Sequence, residues 1–129
     1  MFKLYNPSNV QVSIFNAKKG MTLNKIQSAI SALSDCAVKC LNCASEDLNE
    51  DDVKMLAGCI KLNQECAATC FFTMQSIVGD SRFTMQIVEL CADVCNACAD
   101  ECERHLHMAH CKICAEACRI SATACFSIA

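Results

Sequence analysis

The stretch CADVCNACADEC, running from Cys91 to Cys102, sets thiols at Cys91, Cys95, Cys98 and Cys102, in steps of four, three and four. At about 100° per residue on an α-helix, these side chains fan across only roughly 60° of the circumference, so one helix carries one stripe of sulfur. The same stepping recurs on either side of it. Cys36, Cys40 and Cys43 form a first stripe, Cys59, Cys66 and Cys70 a second, and Cys111, Cys114, Cys118 and Cys125 a last one. A helix places its aliphatic core face where these stripes fall, so the pattern predicts an all-α fold: four helices around a core built largely of sulfur.

A chain of 129 residues is long enough to bury one core without crosslinks. Fourteen cysteines in so short a chain raise the possibility of a secreted disulfide framework. Such scaffolds are rich in loops, whereas this chain has three glycines, one proline and long helical periodicity. Side chains four apart on a regular helix also lie side by side and rarely meet the torsion a disulfide requires. Met1 to Gly20 contains no apolar run suited to a signal peptide or a membrane span and no twin-arginine pair. The expected location is therefore cytoplasmic, where thiols stay reduced and dense cysteine means metal or redox chemistry more often than crosslinks. Net charge is −3, with no basic run to neutralise phosphates, so neither nucleic acid nor membrane is an expected partner.

Residues 1–20 read as an extended N-terminal arm, with Pro7 and an alternation through Val10, Val12 and Ile14. Residues 21–129 read as the bundle. Helix 1 is expected from about Thr22, as N-cap, to Ala44, with Ile26, Ile30 and Leu33 filling its stripe before the cysteines begin. Asn49, followed by Glu50, Asp51 and Asp52, suggests the start of helix 2, and Gly79 its C-cap. Helix 3 is expected from Asp80 or Ser81 to His105, and helix 4 from Met108 to the C-terminus. Short connections favour antiparallel neighbours, giving an up-down-up-down four-helix bundle with the thiols in one column. Phe71, Phe72, Ile77 and Val78 on helix 2, and Phe83, Ile87, Leu90 and Val94 on helix 3, suggest a wide core face, cover by the arm, or a homo-oligomer contact.

Free cysteine packs as a small hydrophobe, which is reason enough for one or two buried thiols. Fourteen on four inward faces, where leucine or alanine would pack without risk of oxidation, call for another function. Soft thiolates select Cu(I), zinc or iron–sulfur clusters. If each thiolate bridges two ions and each ion takes two sulfurs, about one Cu(I) binds per cysteine, and exchanging a thiol proton for Cu⁺ leaves the core near neutral. Zinc held by four unshared thiolates would leave about two negative charges at each buried site. The pairs Cys36/Cys40, Cys66/Cys70, Cys91/Cys95, Cys98/Cys102 and Cys114/Cys118 each supply two sulfurs from one helix face. Iron–sulfur ligation is the next reading, since Cys40–Cys43, Cys95–Cys98 and Cys111–Cys114 resemble ferredoxin fragments; but ferredoxin cysteines sit on loops. A thioredoxin-like site wants a strand and one privileged pair, and neither is visible.

His105, His107, Met108 and His110 gather at the turn before Cys111. They are either solvated turn residues or a loading mouth, since imidazole and thioether bind Cu(I) more weakly than bridging thiolates and would pass an ion inward. Met55, one turn before Cys59, lies at the same end. Asn63 stands in the stripe between Cys59 and Cys66, where a buried amide needs a partner.

The segment CADVCNACADECERHLHMAHCKICAEACRISATAC, Cys91 to Cys125, resembles the bacterial four-helix-bundle copper storage proteins. The stripe pattern extends the resemblance over about Thr22 to Ala129. It implies metal roles for all fourteen cysteines and entrance roles for His105, His107, Met108 and His110. It also implies a cytosolic member of the family. The chain departs from regular stripes at Asn63 and around Ser121 and Ala122, and residues 1–20 have no assigned counterpart. The expected function is thus storage or buffering of many Cu(I) ions without catalytic turnover. A copper chaperone or a small-molecule copper donor is the implied partner. The alternatives are a zinc or general heavy-metal buffer and a thiol redox enzyme, the latter requiring an exposed, low-pKa cysteine.

Overall fold

A computed structural model describes residues 23–128. The proposed arm, residues 1–20, and the proposed N-cap Thr22 lie outside the described residues. Four α-helices account for most of the rest: α1 (Leu23–Asp47), α2 (Ala57–Val78), α3 (Thr84–Glu103) and α4 (Ala109–Ile128), with a 3-10 turn at Val53–Leu56 leading into α2. Each helix packs on the next, and α4 closes the ring against α1.

The sulfur register fixes the directions. Cys43 meets Cys111 while Cys36 meets Cys118, so α1 and α4 run oppositely. Cys59 meets Cys102 while Cys70 meets Cys95, so α2 and α3 do the same. Every cysteine is buried, and the stripes are flanked by buried alanines, among them Ala37, Ala44, Ala67, Ala92 and Ala99. Side-chain size at the contact sets the distance between helix axes, so cysteine and alanine together permit a close bundle. The aliphatic residues collect at the other end, where Ile26, Leu33, Ile77, Val88 and Ile128 form a dry floor beneath the thiols.

The helix ends differ from the expected ones. The acidic run does not open helix 2; it finishes α1 through successive tight turns, with Asn49 N–H bonding to Glu46 O and Glu50 N–H to Asp47 O. Only after Asp52 accepts from Met55 does the chain wind into the 3-10 turn and then into α2 at Ala57. Gly79 does stand at the C-cap of α2, but with φ −79° it is not left-handed. That conformation belongs to Asp80, φ 53°, while Ser81 N–H reaches back to Ser76 O at 3.0 Å. This is a Schellman closure with aspartate where glycine is usual. Residues 80–83 are used up in that turn, which delays α3 to Thr84. Before α4, His105 N–H bonds to Cys102 O and Met108 N–H to His105 O, so the chain reverses by stacked turns without glycine or proline.

The two wide apolar patches divide between core and surface. Ile77 and Ile87 are buried and Val94 packs on the core, whereas Phe71, Phe72, Val78, Phe83 and Leu90 are exposed. Among the described residues, no helix is long and apolar enough to cross a membrane.

Candidate metal centre

All fourteen cysteines carry free thiols. Their sulfurs form a continuous ladder, with Cys40–Cys118 at 3.6 Å, Cys36–Cys118 at 3.7 Å, Cys66–Cys95 at 3.7 Å, Cys36–Cys66 at 3.8 Å and Cys59–Cys102 at 3.8 Å. With a metal–sulfur bond of about 2.3 Å, sulfurs around a trigonal or tetrahedral ion stand about 3.8 to 4.0 Å apart, and those of a linear ion about 4.6 Å. The ladder is therefore spaced for sulfurs shared among three- and four-sulfur sites, and a linear ion needs only a small rotation of two side chains.

Four cysteine-only groups bring their ligand atoms mutually within 4.8 Å: Cys36, Cys40, Cys66 and Cys118; Cys36, Cys66, Cys70 and Cys95; Cys40, Cys98, Cys114 and Cys118; and Cys43, Cys102 and Cys114. Cys36, Cys40, Cys66, Cys114 and Cys118 each belong to two of them. Shared membership is what bridging thiolates require, and it separates this column from a set of isolated four-ligand sites. Cys91 and Cys125 lie at the inner end, beyond these groups, with Cys91 3.9 Å from Cys95.

The thiols also control one another's protons. Hydrogen bonds from Cys118 and Cys36 push Cys66 well below the usual thiol range, and bonds from Cys102 and Cys118 do the same for Cys114. Cys118, hydrogen-bonded with Cys114, Cys36, Cys40 and Cys66, is held far above that range. Each depressed thiol is held by the protons of its neighbours, because a second bare thiolate beside the first has no counter-charge in a dry core.

One further group contains a carboxylate: Cys43, Asp47, Cys59 and Cys111. Asp47 is fully buried, its Oδ1 lies 2.8 Å from His110 Nε2 and 3.6 Å from the donating Cys111 thiol, and its Oδ2 has no partner. Burial, helped by a hydrogen bond to Cys59 and opposed by His110, raises Asp47 from 3.8 to about 6. Burial and the adjoining Asp47 charge push Cys111 up to about 12. Asp47 was not singled out from the sequence, although it continues the first stripe in register: Cys36, Cys40, Cys43, Asp47 step by four, three and four.

The histidines at this end fall in different places. His105 is buried, and its Nε2 has no hydrogen-bond partner, the nearest carboxylate being Glu101 at 3.6 Å. His107 is exposed, with its ring 6.4 Å from that of His105, and Met108 is half-buried against the core. Met55, which the sequence set at the same end, is exposed on the 3-10 turn. Asn63 is fully buried within the column; its Oδ1 accepts from Cys98 at 3.2 Å, Cys114 at 3.4 Å and Cys102 at 3.6 Å, and its Nδ2 donates to Cys59 at 3.5 Å.

An antiparallel bundle whose interior is a shared ladder of reduced thiols, floored by aliphatic side chains and capped by imidazole and carboxylate, defines a multi-thiolate metal-binding protein. The chain belongs to the copper storage protein family, whose model matches residues 22–129. A cysteine-rich protein of Bacillus subtilis, YhjQ, is 41% identical over 80% of this chain and 94% of its own. The solved Cu(I)-bound copper storage protein BsCsp3 is 39% identical, with a TM-score of 0.77 over 81% of this chain and 98% of that one. A Streptomyces lividans copper storage protein loaded with 10 copper equivalents is 33% identical, with a TM-score of 0.85 over 93% and 96%. A cytosolic copper storage protein from the same organism, solved with five coppers, is 37% identical, with a TM-score of 0.78 over 81% and 92%.

Proposed function

We propose that this protein stores Cu(I) in bulk, holding many ions on its fourteen cysteine thiolates and admitting them at the end of the column that carries Asp47, His105 and His110. The observation that carries the reading is the shared membership of the sulfur groups: five cysteines each belong to two groups, and through them sulfurs of all four helices are joined. Copper suits the charge. Each ion replaces one proton, so the dry core fills without accumulating charge, whereas zinc in unshared four-thiolate sites would leave about two negative charges at each. Storage of Cu(I) by relatives as similar as these supports copper over zinc.

At the entrance, His110 and Asp47 flank Cys43, Cys59 and Cys111, and buried His105, its Nε2 unpartnered, lies at the same end of the column. These weaker ligands capture an ion and hand it to Cys43, Cys59 or Cys111, from which the bridged groups lead it inward. His107 and Met108, at the rim, take part in the first capture from a copper chaperone or a small-molecule donor. The cytosolic description of one relative supports a cytoplasmic store, and exposed Phe71, Phe72, Phe83 and Leu90 offer a contact for a second copy. A thiol redox enzyme needs an exposed, low-pKa cysteine, and the burial of every thiol speaks against turnover.

Titrating the reduced protein anaerobically with Cu(I), against a chromophoric chelator, tests the reading. Storage predicts on the order of ten or more tight equivalents, about one per thiol at the limit. An end point of one to four would refute it.

A further inference from the structure

Several hydroxyl groups on the helices of this protein share a habit. Thr69, Thr73, Ser76, Thr123 and Ser127 each donate to the carbonyl four residues earlier, at 2.7 to 3.1 Å. Ser121 does otherwise. It is fully buried on α4, its oxygen accepts from the Cys95 thiol at 3.4 Å, and the Cys70 sulfur stands 4.0 Å away. It also holds a position in the thiol stripe, since Cys111, Cys114, Cys118, Ser121 and Cys125 step by three, four, three and four.

A hydroxyl there does what neither a methyl nor an amide oxygen can: it accepts from a thiol and, after rotating, donates to a thiolate. The contrast with Asn63 is direct, because its Oδ1 accepts from three thiols and has no proton to return to them. The geometry points to Ser121 as a positioning residue for copper loading, whose hydroxyl accepts from Cys95 while that thiol is protonated and donates to the Cys95 or the Cys70 thiolate once Cu(I) has displaced its proton. The inference rests on the Cu(I) storage reading. In the step itself an S–H bond breaks and an S–Cu bond forms. The proton passes to solvent buffer, and no electron changes hands.

The benefit belongs to part-filled states. While the group Cys36, Cys66, Cys70 and Cys95 is part-filled, a thiolate bound to one Cu⁺ keeps more negative charge than one that bridges two, and a hydrogen bond donated to it is strengthened by that charge. At full loading the charge is balanced and the contribution falls away. Ser121 therefore favours early filling of this inner group over filling of the rim.

The test is an anaerobic Cu(I) titration of wild type, Ser121→Ala and Ser121→Thr in parallel against a chromophoric chelator. Apo melting curves serve as a check on folding, and a crystal of wild type at about four equivalents adds a second measurement. Ser121→Ala is expected to keep the full capacity while its early equivalents bind about tenfold more weakly, about 1.4 kcal/mol. Threonine, which keeps the hydroxyl, restores them. In the part-loaded crystal Ser121 Oγ should face Cys95 and Cys70. Early affinity of Ser121→Ala equal to that of wild type, or an Oγ turned onto the Ala117 carbonyl in that crystal, overturns the inference. Low total capacity of wild type itself would instead refute copper storage, a separately readable result.

Discussion

Asp47 Oδ1 and His110 Nε2 stand 2.8 Å apart, tying the last residue of α1 to the first turn of α4 at the end of the thiol column away from the aliphatic floor. A fully buried carboxylate next to Cys43, Cys59 and Cys111 has an evident structural use in holding two helices together. Its second oxygen has no partner, which supports the ligand role proposed for it above.

Replacing Asp47 by Asn, or His110 by Ala, is therefore expected to slow loading more than it reduces capacity. All fourteen thiols remain, so the end point of a Cu(I) titration should stay within about one equivalent of wild type. The rate of the first equivalents, read by stopped-flow absorbance of the copper–thiolate band, should fall by about tenfold. A capacity lost in proportion to the rate would show that these residues hold stored ions instead of admitting them.

The same carboxylate sets a pH dependence in the apo protein. Burial holds Asp47 at about 6 in the fold against its ordinary 3.8, so the folded state binds the proton more tightly than the unfolded one. The stability this contributes is fully present below pH 3.8 and is lost as pH rises through about 6. The loss amounts to about 1 to 3 kcal/mol. Urea unfolding of reduced apo protein between pH 4 and 7 should show a decline that Asp47→Asn abolishes.

Much of this was legible in the sequence because helix period and thiol period coincide. Cys91, Cys95, Cys98 and Cys102 had to share a face, and four such faces had to meet. The helix ends were less legible, because local signals competed. Glu50, Asp51 and Asp52 suit a helix start electrostatically, yet backbone turns after Asp47 claim them, and the left-handed site fell on Asp80 beside the expected Gly79. Asp47 was readable in principle, as the continuation of a stripe, but a search that counts only sulfur passes over it. The split between buried His105 and exposed His107 was not readable, since it depends on how stacked turns orient two residues of one loop.

Leu33 roofs the aliphatic floor where the thiols begin, and it is completely buried. Leu33→Ala should destabilise the apo bundle by about 2 to 5 kcal/mol, through lost burial and the cavity left behind. Copper binds the preassembled column more tightly than the scattered thiols of the unfolded chain, so loading should restore part of the melting temperature, and a strong Cu(I) chelator should remove that gain. Arg119, which ties α4 to Asn96, Asp100 and Glu103 on α3 at the surface, makes the contrast. Arg119→Ala should shift stability by about 1 kcal/mol or less.

The choice between copper and zinc can be decided by charge alone. Filling the thiol ladder with Cu⁺ releases about one proton per ion, so the loaded protein keeps nearly the net charge of the apo form. A zinc ion on four unshared thiolates displaces four protons with a charge of only two, adding about two negative charges per site. Copper-loaded protein should therefore elute from an anion exchanger close to the apo protein, and zinc-loaded protein distinctly later. Native mass spectrometry gives the proton count directly, as about one hydrogen lost per copper added and more than one per zinc. A copper-loaded form that gained negative charge steadily with each ion would mean that the sulfurs are not shared, and the bridged ladder would then be the wrong description of the core.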